Sequence, residues 1–159
     1  MTSVVTIGVV ADTHGLVRPE LLEALAGCDA ILHAGDVGGG HVLRELEALA
    51  PLSAVRGNND PPAEELPPTR TVELGGRRFH VLHAIQKLVE ADAQRADVVV
   101  YGHSHRPALE EREGVLYLNP GSAGPPRFRL PITAARLRLA PGGIEPELVT
   151  LVERQPRKG

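Results

Sequence analysis

VVTIGVVADTH (Val4–His14) is apolar and rich in β-branched residues until it ends in an acid and an imidazole. Such a run, Val4 to Val10, reads as a strand covered on both faces, with Asp12 emerging from its carboxyl end. The same grammar repeats downstream. Pro19 opens a helix whose Leu21, Leu22 and Leu25 share a face, and Gly27 stops it. Ala30 to Ala34 is a second short strand, followed by another acid, Asp36. Val42, Leu43, Leu46, Leu49 and Ala50 keep helical spacing until Pro51 breaks it. Leu52 to Val55 makes a third strand and leads into Arg56-Gly57-Asn58-Asn59-Asp60. The order β-α-β-α-β predicts parallel strands joined by right-handed crossovers. Ligands of such sheets lie beyond the carboxyl ends of the strands, where all three polar motifs fall.

The rhythm then changes. Pro61-Pro62 and Pro67-Pro68 bracket an acidic loop at Glu64-Glu65. Arg70 to Leu74 and Arg77 to His83 flank Gly75-Gly76, a hairpin signal. Gln86 to Arg95 reads as a short helix, and Val98 to Tyr101 as a buried strand delivering Gly102-His103-Ser104-His105. Leu109 to Arg112 and Val115 to Leu118 form a second hairpin through Glu113-Gly114. Two more strands, Ile132 to Leu139 and Ile144 to Val152, surround Pro141-Gly142-Gly143. The fold class expected is α/β of the α+β-like kind: two mixed β-sheets packed as a sandwich flanked by helices. One domain over residues 1–153 is expected, with a frayed polar tail at 154–159.

Composition narrows the function. The 159 residues, 42% of them hydrophobic, suit one two-faced core, which two Phe, two Tyr and no Trp leave to aliphatic side chains. Scarce rings argue against a stacking platform for single strands, and a net charge of -3 gives no basic footprint for duplex. A lone Cys28 excludes an internal disulfide. No signal peptide is read at Met1-Thr2-Ser3, and no apolar run approaches the ~20 residues of a membrane span. A cytoplasmic protein without membrane contact is the expectation, with homo-oligomerisation left open.

The polar motifs share one chemistry. Asp12, His14, Asp36, Asn58, His83, His103 and His105 are metal-ligand side chains at strand ends. Asp12 and His14 lie two apart, which in extended chain puts both on one side, and His103 and His105 repeat that spacing. One assignment gives Asp12, His14, Asp36 and His105 to a first ion, and Asp36, Asn58, His83 and His103 to a second. Asp36 then bridges the two. Two divalent ions carry +4; two carboxylates and a bridging hydroxide leave about +1, which matches a phosphodiester monoanion. Two-metal sites favour in-line displacement at phosphorus, and this donor set suits Mn²⁺, Fe²⁺, Zn²⁺ or Ni²⁺, with Mn²⁺ placed first.

Asp-x-His, Gly-Asp, Gly-Asn-x-Asp, a strand-end His and Gly-His-x-His, followed by Asn119-Pro120-Gly121-Ser122, resemble the motifs of the calcineurin-like metallophosphoesterases. The resemblance runs from Val5 to about Leu139 and is nearest the small bacterial and archaeal phosphodiesterase branch. It implies a β-sandwich flanked by helices, a dinuclear centre with the ligands named above, and a metal-dependent phosphoric diester hydrolase acting by bridging-hydroxide attack. Asp36, Asn58 and His14 would serve catalysis on a small-molecule diester. Two positions depart from the family's pattern. Asn59 stands where monoesterases and nucleases usually carry His, and Ala84 follows His83 where Gly is common. Asn59 does not titrate, so the expected substrates are diesters with good leaving groups such as phenolates. The alternatives are a non-catalytic protein-binding scaffold, like the retromer subunit that shares this fold, or a phosphomonoesterase or nuclease of the superfamily.

Other polar residues read as structural. His33, His41 and His80 are expected to be structural or exposed, although His33 and His41 flank Asp36 and are weighed as substrate contacts. Cys28 reads as a buried, inert thiol. Asn119-Pro120-Gly121-Ser122 reads as support for the histidine loop, and Arg127 and Arg129 as solvated, with one of them weighed as a phosphate contact.

Overall fold

Strand alternation sorts the first strand's side chains into two cores. The computed structural model describes residues 4–63, 65–127 and 129–153. The tail expected to fray, 154–159, lies outside them, as does Glu64 of the acidic loop. In chain order the elements are β1 (Val5–Val10), α1 (Pro19–Leu25), β2 (Ala30–His33), α2 (Gly40–Glu47), β3 (Leu52–Ala54), β4 (Thr69–Leu74) and β5 (Arg77–Leu82). A 3₁₀ turn at Ile85–Lys87 leads to α3 (Glu90–Arg95), β6 (Val98–Val100), β7 (Ala108–Arg112), β8 (Val115–Asn119), β9 (Ile132–Ala140) and β10 (Gly143–Val152). Ile7 and Val9 of β1, and Ala11 just past it, point into the layer between two sheets, against Phe79, Val81, Val98, Val100 and Leu118. Val10 points the other way, towards Leu21 and Leu25 of α1 and Val42 and Leu46 of α2. Gly8 shares that outer face; a Cβ there would lie 2.6 Å from Leu25 Cδ2, so glycine lets α1 sit close.

The sheets run β10-β9-β1-β2-β3 and β4-β5-β6-β8-β7. In the first, β1, β2 and β3 are parallel, while β9 and β10 are antiparallel additions. In the second, β5, β6 and β8 are parallel, and β4 and β7 close the edges antiparallel. Both sheets are mixed and stack face to face, with α1 and α2 outside one and α3 outside the other. Both hairpins form at the expected turns: Gly75 and Gly76, and Glu113 and Gly114, all have positive φ, as two-residue loops between right-twisted strands require.

One expected element is divided. Gln86 to Arg95 is not a single helix, because Leu88 and Val89 are extended, with ψ of 128° at each. Val89 is β-branched and favours extended backbone, and the acids Glu90 and Asp92 favour a helix start immediately after it. Among the described residues no helix is long and apolar enough to cross a membrane. The carboxyl ends of β1, β2, β3, β5 and β6 lead directly into the polar motifs, and this convergence builds the site.

Candidate metal centre

The loops after β1 and β2 are zipped by backbone hydrogen bonds: Asp12 N–H donates to Gly35 O and His14 N–H to Asp36 O, both at 3.0 Å. The loop after β6 joins across the sandwich, where His103 N–H donates to Asp12 Oδ2 at 3.1 Å. Turning the side chains inward takes unusual backbone. Among the described residues six non-glycines have left-handed φ, and five are Asp12 (55°), His14 (46°), Asp36 (56°), His103 (73°) and His105 (63°). This conformation costs roughly 1–2 kcal/mol for a residue with a Cβ, and such strain clusters at functional sites. The expectation of an extended Asp12-Thr13-His14 is therefore corrected. Both side chains reach one place because the two residues flanking Thr13 are left-handed.

Two groups of ligand atoms result. In the first, Asp12 Oδ1 lies 3.9 Å from His14 Nε2 and 3.6 Å from His105 Nε2. In the second, His83 Nε2 lies 3.3 Å from Asp36 Oδ2 and 3.3 Å from His103 Nδ1, which is 3.2 Å from Asn58 Oδ1. Asp36 Oδ2 is also 3.7 Å from His14 Nε2, so it sits between the groups. Asp12 Oδ1 approaches both as well, at 3.8 Å from His83 Nε2. Asp12, His14 and His105, and likewise Asp12, Asp36 and His83, bring ligand atoms within 4.8 Å of one another. All seven residues singled out from the sequence meet here.

Unsatisfied atoms show what the cluster fits. Asp12 Oδ1 and His14 Nε2 are buried with no hydrogen-bond partner. Orphaned lone pairs converging at this spacing are costly unless something electron-poor engages them. Burial, with the Asp36 charge adding, pushes the Asp12 carboxyl up to about 7. Burial also works to raise Asp36, but hydrogen bonds from His83 and Asn59 outweigh it and hold that carboxyl well below the usual range. Burial lowers His105 to about 4, with Arg127 and His14 adding, which leaves a neutral ring. Deprotonated carboxylate and neutral imidazole are the forms that bind divalent ions.

Surrounding hydrogen bonds fix the ligands. His83 Nδ1 donates to Ala34 O at 2.8 Å, which aims Nε2 at the centre and at Asp36 Oδ2. Asn59 grips Asp36 twice, by N–H to Oδ1 and by Nδ2 to Oδ2, each at 2.9 Å. The position read as a missing acid is thus occupied by a clamp. A Cβ on Gly57 would fall onto the Asp36 carboxylate, so glycine is required for the two loops to meet. Asp60 accepts from Val37 and Gly38 at 3.1 Å and from Gly57 at 2.9 Å, binding the second and third motif loops together. Asn119 donates to Gly102 O (3.2 Å) and Ser104 Oγ (3.1 Å), and Ser122 Oγ donates to Asp12 O (3.0 Å). The support expected of Asn119-Pro120-Gly121-Ser122 is present.

His33 is structural. Its Nδ1 accepts from Gly35 N–H at 3.1 Å, and its Nε2 meets Thr13 Oγ1, which donates to Val37 O, at 2.9 Å. That network makes Nε2 the donor, and burial lowers the ring to about 4. His80 is likewise buried, hydrogen-bonded to Thr71 Oγ1 at 2.9 Å away from the centre. His41 is exposed and bonds Gly15 O. Cys28 is buried, and Arg127 and Arg129 are exposed. Sequence reasoning missed the clamps Asn59, Asp60 and Thr13. Asp at the end of a Gly-Asn-Asn-Asp turn was a local signal for the second, and the others needed the tertiary neighbours.

The sequence profile of the calcineurin-like phosphoesterase superfamily domain matches residues 5–142. A probable metallophosphoesterase of Methanothermobacter thermautotrophicus is 37% identical over 79% of this chain and 81% of its own. The solved structure of an archaeal phosphodiesterase superposes with a TM-score of 0.76 at 25% identity, covering 91% of this chain and 99% of that one. Chaetomium thermophilum Vps29 superposes with a TM-score of 0.73 at 22% identity, covering 96% and 100%, a likeness of fold.

Proposed function

The chain belongs to the calcineurin-like phosphoesterase superfamily, and on that footing we propose that it is a phosphodiesterase with a dinuclear centre. Asp12, His14 and His105 would hold one ion, Asn58, His83 and His103 would hold the other, and Asp36 would serve both. The observation that carries this reading is Asp36 Oδ2 standing 3.7 Å from His14 Nε2 and 3.3 Å from His83 Nε2, beside the buried, unpartnered Asp12 Oδ1. When bound, two divalent ions, Mn²⁺ first among them, supply Lewis acidity and make coordinated water acidic near neutral pH.

The remaining work belongs to the side chains. His83, oriented by Ala34 O, keeps its Nε2 aimed inward, and Asn59 keeps Asp36 in one rotamer. Asn58 and His14 border the place where a phosphoryl group would sit. Asn59 spends its amide on Asp36 and holds no proton to give, so a departing alkoxide finds no acid at that position. Diesters with stable leaving groups, phenolates foremost, are the preferred class. A monoanionic diester also matches the centre's small positive surplus better than a monoester dianion. The lone Cys28 fits a reducing, cytoplasmic setting. The likeness to Vps29 is one of fold alone. The filled ligand set favours catalysis over the scaffold alternative, and among the described residues the large apolar side chains that are exposed (Val4, Leu16, Val89, Leu109, Leu148) fall on separate segments.

The test is hydrolysis of bis-p-nitrophenyl phosphate and p-nitrophenyl phosphate by metal-stripped protein with and without Mn²⁺. Metal-dependent turnover of the diester, well above the monoester, is expected. Preference for the monoester overturns the substrate class, and no turnover by folded protein with any of the four metals overturns the enzymatic reading.

A further inference from the structure

Beside the second ligand group lies a cavity of about 550 Å³. Asn58, His83 and His103 bound it on the side of the centre. Arg56, just past β3, contributes to one wall, and Lys87, from the 3₁₀ turn that follows His83, contributes to another. The volume is in the range of small-molecule sites, roughly 300–1,000 Å³.

Charge and position together distinguish this cavity. The acid in its lining, Asp60, has its oxygens engaged by the N–H groups of Val37, Gly38 and Gly57. Among the described residues the arginine–carboxylate pairs involve Arg78, Arg112 and Arg138, not Arg56, and no lysine is so paired. In two other cavities acids match or outnumber the cations, Arg44 and Arg70 beside Glu47 and Glu65, and Arg112 beside Glu90 and Glu113; a third sets Arg18 and Arg129 beside Glu153 but includes none of the seven residues of the centre. Among the described residues no Phe or Tyr lines the cavity, so no phenyl or phenol face is offered there to a nucleobase. On a chain of net charge -3, two cations set against the single, hydrogen-bonded carboxylate of Asp60 leave this lining a small positive surplus.

We propose that this cavity receives one arm of the diester, and that the arm carries a second anionic group bound by Arg56 and Lys87. The inference rests on the phosphodiesterase reading and names its substrate class: a diester of a short, non-aromatic alcohol that bears a further phosphate or carboxylate. The reacting phosphoryl group answers the centre, and the second anion answers two cations that the centre leaves unused. Arginine forks and lysine ammonium groups bind both anions through charge-assisted hydrogen bonds.

The experiment uses Mn²⁺-loaded protein and four p-nitrophenyl diesters that differ in the second arm: ethyl, 2-carboxyethyl, 2-phosphonooxyethyl and choline. One net charge-assisted contact predicts about a tenfold preference in kcat/KM for an anionic arm over ethyl, and the cationic choline arm ranks last. Whichever anion gives the larger ratio identifies the source as carboxylate or phosphate. In Arg56→Gln/Lys87→Gln the anionic-to-ethyl ratio falls towards one, whereas Arg78→Gln/Arg138→Gln on β5 and β9, a control that removes the same net charge away from the cavity, keeps it. Binding gives a second readout: calorimetry with propane-1,3-diyl bisphosphate and propyl phosphate shows tighter binding of the bisphosphate by about tenfold in wild type and near equality in the double variant. A ratio near one in wild type, or one that survives the double substitution, overturns the proposal. If wild type hydrolyses no diester, the phosphodiesterase reading fails, and the binding comparison judges the cavity by itself.

Discussion

Replacing Asp12 by asparagine should stabilise the metal-free protein and weaken the metal-loaded one. Asp12 is fully buried and its carboxyl is pushed from 3.8 to about 7, chiefly by burial. Between those values the unfolded chain has released the proton while the folded chain still holds it. Folding stability therefore falls as pH rises from about 4 to 7 and stays low above 7. The full shift of about 3 units corresponds to a ceiling of about 4 kcal/mol at pH 8, and about 2 kcal/mol of it is already present at pH 5. Asparagine keeps an oxygen for the His103 N–H and carries no charge to bury. In EDTA, urea unfolding of Asp12→Asn should thus show a gain of about 2–4 kcal/mol over wild type at pH 8, and a gain smaller by about 2 kcal/mol at pH 5. With Mn²⁺ in excess the order should reverse, because binding to the native state stabilises by mass action and the variant has lost a ligand. A variant less stable than wild type in EDTA at pH 8, or a gain that does not change with pH, would refute the reasoning.

Three other changes separate ligands from their supports. Asn59→Ala removes the Nδ2 contact to Asp36 but leaves the backbone one, so metal affinity measured by calorimetry should fall by about tenfold without loss of either site. Asn119→Ala removes the tie between the Asn119 turn and the Gly102–Ser104 loop, and thermal unfolding should register a loss of about 1–3 kcal/mol. His33, lowered to about 4 by burial, must protonate to unfold in acid. Its share of stability is complete above pH 6.5 and is lost as pH falls to 4, up to about 3 kcal/mol. His33→Gln should unfold more readily at pH 7, and the gap to wild type should narrow at pH 4; a constant gap would show that His33 does not titrate as a buried neutral ring.

Much of this architecture is legible one residue at a time. Val4–Val10 predicts a strand with two buried faces because β1 lies inside its sheet, and the β-α-β-α-β order places Asp12, Asp36 and Asn58 at parallel strand ends. Gly75-Gly76 and Glu113-Gly114 predict their hairpins because left-handed backbone is a local demand. The candidate ligand set is legible because strand ends carry it in a fixed order. The left-handed backbone at Asp12, His14, Asp36, His103 and His105 is not, since tertiary contacts impose it against local preference. The break between the 3₁₀ turn and α3 escaped because a single β-branched residue, Val89, is a weak local signal, and the docking of Leu88 against the outer face of the second sheet is a tertiary contact. Asn59 illustrates the same limit. Its residue type says that it cannot titrate, but only the fold brings Asp36 within 2.9 Å of its amide. The Arg56–Lys87 cavity joins segments on opposite sides of the chain's midpoint strands, so no local pattern announces it.

Metal stoichiometry tests the shared role of Asp36 most directly. Titrating stripped wild-type protein with Mn²⁺ or Zn²⁺, and counting bound ions after dialysis by mass spectrometry, should give two per chain. Asp36→Ala should retain neither ion, while Asn58→Ala should lose mainly the one held with His83 and His103. Two ions retained by folded Asp36→Ala, or a single ion in wild type at saturation, would contradict a centre built around that carboxylate.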